Sequence, residues 1–111
     1  MQKLTIQFDQ PQIEINGEVF NLLLSDAEIV TLIMQTLNEY EAFDVESSTT
    51  EERLEMCMKA NKVIEKIIGK GAVKRMSGGK PVGMVKMLEV LRVILDAANQ
   101  SYAGYIAEEY E

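Results

Sequence analysis

Apolar residues recur along this chain with two rhythms, and each rhythm predicts an element. From Lys3 to Phe8, Leu4, Ile6 and Phe8 alternate with Lys3, Thr5 and Gln7. A period of two is that of a half-buried strand, because successive strand side chains point to opposite faces. Asp9-Gln10-Pro11 interrupts the run, and Pro11 has no N–H to give a ladder. Residues 12–15 and 18–23 then flank Asn16-Gly17. That dipeptide supplies the two positive φ angles of a type I′ turn and so predicts a hairpin. Its register pairs Ile15 with Glu18, Glu14 with Val19 and Ile13 with Phe20. Ile13, Ile15, Phe20 and Leu22 then share one face. A sheet this small needs helices to cover that face.

After Leu24 the period lengthens to that of a helix. Ser25-Asp26-Ala27-Glu28 has the spacing of a capping box and opens a helix to about Ala42. Its apolar positions are Ile29, Leu32, Ile33, Leu37 and Tyr40. Residues 44–50 are polar and aperiodic, hence a loop. Thr49 with Glu52 forms a second capping box, and the helix it opens spans about Thr50–Ile68. Glu51, Glu52 and Glu55 lie near its positive end, and Lys62 and Lys66 near its negative end, matching the helix dipole. Gly69 suits the left-handed position that ends it. Met56, Cys57, Ala60, Val63, Ile64, Ile67 and Ile68 make its buried side. Ala72–Met76 predicts one helical turn, Ser77-Gly78-Gly79 a tight turn, and Pro81 the first turn of a final helix reaching Ala107.

That last helix is the apolar centre of the chain. At 100° per residue, Leu88, Leu95 and Tyr102 lie on one flank of its apolar arc. Leu91 and Ala98 lie in the middle, and Met87, Val90 and Ile94 on the other flank. The arc is wider than the ~100° stripe an ordinary surface helix needs. Two helices and a small sheet can cover the first flank and the middle. Met87, Val90 and Ile94 are therefore expected to remain available to a partner helix or a second copy, and they are the candidate partner-binding residues. The fold class that follows is α+β: a small N-terminal antiparallel sheet, hairpin plus one strand, packed on three main helices. One domain is expected over 1–111, with a sheet region at 1–24, a helical region at 25–107 and an acidic tail at 108–111 that frays.

Composition narrows the chemistry. The chain has no histidine and one cysteine, Cys57. A Cys–His nucleophile pair, a usual structural zinc site and an internal disulfide are thereby excluded. The carboxylates crowd helix starts, where they serve the dipole. The glycine-rich stretch fails the phosphate-loop pattern, which would need glycine at Lys74 and Ser or Thr at Pro81. The amides of Gly78 and Gly79 with Lys80 could hold an anion, although a surface turn is the default reading. No catalytic, cofactor-binding or metal-binding residue is assigned, and no enzymatic activity is expected. Met56, Met58, Met84 and Met87 suit either core filling or a surface that adapts to several partners. No run of eighteen apolar residues occurs, and the N-terminus lacks the apolar core of a signal peptide. A cytoplasmic protein with no membrane partner is expected.

The net charge of −7 is unevenly spread. Lys3 and Arg53 stand against twelve acids in residues 1–58, whereas nine bases stand against Glu65 and Glu89 in residues 59–92. The uneven spread reads as a dipolar protein whose basic helix ends face its own acidic regions. The basic stretch carries no aromatic residue, and the whole molecule repels phosphate, so no nucleic-acid partner is expected. A small DNA-binding or regulatory protein using residues 59–92 is the alternative.

The order of parts carries a further clue. A short strand and a hairpin reading I-x-I-N-G-E-V-F lead to S-D-A-E at a helix start. A second helix follows, ending I-I-G-K-G-A, then G-G-K and a long apolar helix. Over about Ile13 to Ala98 this resembles the small tail-assembly chaperones of tailed phages and prophages of Gram-positive bacteria. The resemblance implies a protein of the bacterial host cytoplasm that binds the helical tape-measure protein, or another helical tail protein. It would keep that partner soluble until tail-tube subunits polymerise around it. No catalytic residue carries over, and homo-oligomers are compatible with the role.

Overall fold

The computed structural model describes residues 2–6, 8 and 10–110, with the side chains of the last helix described as far as Gln100. Two strands, β1 (Gln12–Ile15) and β2 (Glu18–Asn21), form an antiparallel hairpin. Four helices follow: α1 (Asp26–Ala42), α2 (Thr50–Ile68), α3 (Ala72–Ser77) and α4 (Met84–Tyr110). The α+β class is as expected.

The hairpin has the predicted register, Ile13 opposite Phe20, Glu14 opposite Val19 and Ile15 opposite Glu18. Its turn has φ of 53° at Asn16 and 79° at Gly17. Both residue types tolerate the left-handed region, which is why this dipeptide sets the register. Phe20 and Leu22 are buried, and Ile13 and Ile15 pack against the core from the same face.

The outer edge of β2 is tied to the helices. The Leu23 N–H donates to the Ile67 carbonyl at 2.7 Å. Arg75 of α3 donates to the Glu18 carboxylate at 2.9 Å and to the Val19 carbonyl at 3.4 Å. Its guanidinium also lies 4.6 Å from the centroid of the Phe20 ring, a cation–π distance. One arginine thus clamps the hairpin onto the helical layer.

Helix ends follow local chemistry. The Thr49 hydroxyl accepts from the Glu52 amide at 3.1 Å, and the Glu52 carboxylate accepts from the Thr49 amide at 3.2 Å. This completes the predicted capping box and starts α2 at Thr50. At α1 only half of the box forms: Ser25 Oγ accepts from the Glu28 amide at 3.2 Å. Gly69 ends α2 with a positive φ of 108°, but its ψ of 156° lies outside the left-handed helical region expected there. Gly71 takes that conformation instead, at φ 78° and ψ 6°, and becomes the N-cap of α3.

Helix α4 packs against both α1 and α2, so three helices share one core. Ile33, Ala60, Ile64, Ile67, Leu91 and Ile94 are wholly excluded from solvent. On α4 the buried residues are Met87, Leu91, Ile94 and Ala98, a stripe at i, i+4, i+7 and i+11.

Three boundaries differ from expectation. The predicted strand Lys3–Phe8 does not form: residues 2–6 and 8 belong to no strand, and Gln7 and Asp9 lie outside the described residues. Alternation makes a strand only where an edge receives it, and here Leu4, Ile6 and Phe8 stay exposed. The final helix begins at Met84 instead of Pro81, with its first bond from the Met87 amide to the Gly83 carbonyl at 3.0 Å. Val82 packs against the core and holds the preceding residues in an irregular connection. At the other end the backbone stays helical through Tyr110, past the expected end at Ala107, and Glu111 lies outside the described residues. Alanine and glutamate in this stretch are good helix formers, which favours continuation.

Candidate protein-docking site

The structure rotates the buried face of α4 relative to the expectation. Met87 and Ile94, expected on the free flank, are 5% and 0% exposed and belong to the core. Val90 is half-buried and packs against that core. The assignment of Met87 and Ile94 as an available surface is therefore corrected. The reason is tertiary: α1 and α2 both lie against α4, and together they enclose the centre of its arc, leaving its two shoulders. Leu88 and Leu95, expected under cover, are half-buried on one shoulder; the Tyr102 side chain of that flank lies outside the described residues.

Each shoulder borders an open hollow. On the α1 side lies a groove of about 590 Å³, lined by Met34, Leu37 and Tyr40 of α1, Val45 of the following loop, and Met84, Val85 and Leu88 of α4. Asn38, Glu41 and Arg92 supply its polar rim. Met34, Val45 and Val85 are exposed large apolar residues. On the hairpin side lies a trough of about 520 Å³, bordered by Ile15 and Asn16 of the hairpin and by Val82, Val90 and Val93.

The loop at the end of the groove is held by short-range chemistry. Asp44 accepts hydrogen bonds from the amides of Glu46 at 3.1 Å and Ser47 at 3.4 Å. Hydrogen bonding from Ser47, helped by the Glu46 amide, keeps the Asp44 carboxyl below the usual range. Arg53 reaches back from α2 to the Val45 carbonyl at 2.7 Å and to Ser48 Oγ at 3.0 Å. Val45 is thereby presented at the groove without being buried.

Tyr40 is the polar group of this wall. Its hydroxyl oxygen is buried and has no hydrogen-bond partner among the described residues. Burial, with a smaller contribution from nearby Cys57, pushes its pKa up from 10.0 to about 12. Cys57 itself lies half-buried on α2, and burial raises its thiol pKa, which suits a packing role more than a reactive one. An apolar groove with a polar rim can accept the apolar face of an amphipathic helix. Nothing in the sequence pattern marked this hydroxyl; Tyr40 reads there as another apolar position of α1.

The glycine-rich connection has its donors in use. The Gly78 amide donates to the Arg75 carbonyl at 3.4 Å and the Gly79 amide to the Lys74 carbonyl at 2.9 Å. The Gly71 amide donates to the Glu65 carboxylate at 3.1 Å, which also accepts from Asn61 at 2.7 Å. These are helix-capping bonds, and the surface-turn reading holds. Charge pairing across the chain is visible too: Lys59 meets Glu39 at 3.0 Å and Arg75 meets Glu18. Both join the basic stretch to the acidic first half.

No described helix is long and apolar enough to cross a membrane. Comparison with known protein families, characterised proteins and solved structures finds no match to this chain.

Proposed function

We propose that this protein is a tail-assembly chaperone of a tailed phage or prophage, binding the helical tape-measure protein and keeping it soluble during tail morphogenesis. The observation that carries the reading is the α1–α4 groove, with Met34, Val45, Val85 and Leu88 along it. A tape-measure protein is a long amphipathic helix, and such a helix docks by laying its apolar face into a groove of this kind. The methionines Met34 and Met84 adapt to a changing sequence better than branched side chains do, which suits a partner presenting many similar segments. Burying three or four such side chains contributes ~1.5–3 kcal/mol each before association costs. That suits a complex which must later release its partner to the tail tube. The order of sequence motifs supports the same reading, as does the acidic exterior of a protein that must stay soluble beside an aggregation-prone partner.

The test is co-expression with a tape-measure protein, whose gene the proposal expects to lie nearby. The chaperone should raise the soluble yield of that protein. Val85→Glu and Met34→Glu place charges at exposed positions of the groove and should abolish the effect while leaving the melting temperature nearly unchanged. If the partner's solubility is indifferent to this protein, the proposal fails. If solubilisation survives both substitutions, the groove is not its site.

A further inference from the structure

The two walls of the α1–α4 groove differ in charge. The α1 wall carries Asn38 and Glu41, and the α4 wall carries Arg92. Glu41 and Arg92 are both exposed, and neither belongs to an ion pair among the described residues. The acids nearest to Glu41 in the chain are already engaged. Glu39 holds Lys59 at 3.0 Å, and the Asp44 carboxylate accepts from the amides of Glu46 and Ser47. The groove therefore presents a carboxylate from one helix and a guanidinium from the other, on either side of an apolar strip.

One end of the groove is fixed in place as well. Val45, in the loop after α1, lines the groove and is 50% exposed. Its carbonyl accepts from Arg53 Nη2 at 2.7 Å and from Ser48 Oγ at 2.7 Å. A wall held this way before a partner arrives lowers the ordering cost of binding.

A helix lying in the groove with its apolar stripe down has two flanks, one over α1 and one over α4. With heptad positions a and d in the groove, the flanks are e and g. Turning the helix end for end exchanges the wall that each flank meets. Opposite charges on the two walls thus make the two directions unequal for a helix whose flanks differ in sign. Charges on a rim act mainly in this way, giving orientation and specificity more than affinity, because the wrong arrangement brings like charges together.

We propose that the groove takes a helix carrying Lys or Arg on the flank over α1 and Asp or Glu on the flank over α4, and that this pairing fixes the direction of the bound helix. The inference rests on the reading of the groove as the docking site for a helical tail protein. Successive copies would then sit the same way round along a partner with many similar segments.

The experiment uses the full chain with Val45→Cys in a Cys57→Ala background. Cys57 is the chain's one cysteine, so the single thiol marks one end of the groove. The probe is a stapled helix of about two heptads, with Leu at a and d, Lys at e and Glu at g. It is used below the concentration at which it pairs with itself. One version carries an activated disulfide at its N-terminus and another at its C-terminus. One end should react about fivefold or more faster than the other, as exposed charge pairs made in one direction and opposed in the other allow. Glu41→Arg combined with Arg92→Glu should reverse the preferred end with little change in melting temperature, since both side chains are exposed. Exchanging Lys and Glu between e and g of the probe should reverse it likewise. Added salt should shrink the preference. Equal reaction from both ends, or a preferred end that neither exchange reverses, overturns the proposal and leaves the groove as a docking site. Reaction from both ends no faster than that of a helix with scrambled sequence sinks the reading of the groove itself. A chain that dimerises alone and becomes monomeric with Val85→Glu assigns the groove to a second copy and refutes the proposal.

Discussion

The hydroxyl of Tyr40, beside the α1–α4 groove, is buried with no hydrogen-bond partner among the described residues. An unsatisfied buried polar group costs ~1–3 kcal/mol. Tyr40→Phe removes that cost with little change of shape and should stabilise the protein by about 1 kcal/mol in urea melts at neutral pH. The pH dependence has a definite sign. The folded group ionises at about 12 and the unfolded one near 10.0. Between those values the unfolded chain holds fewer protons at this site, so the Tyr40 contribution to stability falls as pH rises through the window and is constant below it. The advantage of the Phe variant over the parent should therefore widen above pH 10.0. A constant difference across that range would mean that the hydroxyl finds water or a partner. Elsewhere the contrast between core and groove is direct. Ile94→Ala should cost ~2–5 kcal/mol, as truncations in a packed core do. Val85→Ala, at 69% exposure, should stay within about 0.5 kcal/mol. Equal effects would contradict the rotation of α4 described above.

At the scale of elements, caps and turns govern where structure begins. The box at Thr49 satisfies two backbone donors, whereas Ser25 satisfies the single amide of Glu28. Thr49→Ala should then destabilise by about 1 kcal/mol, and Ser25→Ala by less, in chemical denaturation of the two variants. Gly17 carries φ 79°, and alanine there pays a left-handed penalty of ~1–2 kcal/mol. These features were legible in the chain because each depends on neighbours three or fewer residues away. The hairpin register and the span of α2 followed for the same reason. Pro81 misled because Val82 is drawn into the core, and packing outweighed the preference of proline for a first helical turn. The segment with Leu4, Ile6 and Phe8 misled because a strand is a property of two edges, and periodicity reports one.

For the whole molecule, charge distribution bears on partners. Lys59 and Arg75 are paired with Glu39 and Glu18 of the acidic half, and the net charge is −7. Duplex DNA should bind no tighter than the nonspecific range of ~10⁻⁴–10⁻⁶ M at physiological salt. Submicromolar binding that falls steeply with salt and is lost in Lys70→Glu with Lys74→Glu would instead favour the DNA-binding alternative. Binding of a helical tail segment in the groove should change little between low and moderate salt, since apolar burial is not screened.

Composition and periodicity by themselves determined the α+β class, the hairpin register, the start of α2 and the width of the apolar arc on the last helix. Each is set by backbone preference and by side-chain spacing within one element. Which part of that arc is buried was decided only by tertiary packing. Met87, Leu91, Ile94 and Ala98 turn inward because α1 and α2 flank α4 together, and no property of α4 alone selects that rotation. The candidate groove was hidden for the same reason. Its walls, Met34, Val45 and Val85, come from segments far apart in the chain, and each is an unremarkable apolar position until two helices and a loop are brought side by side.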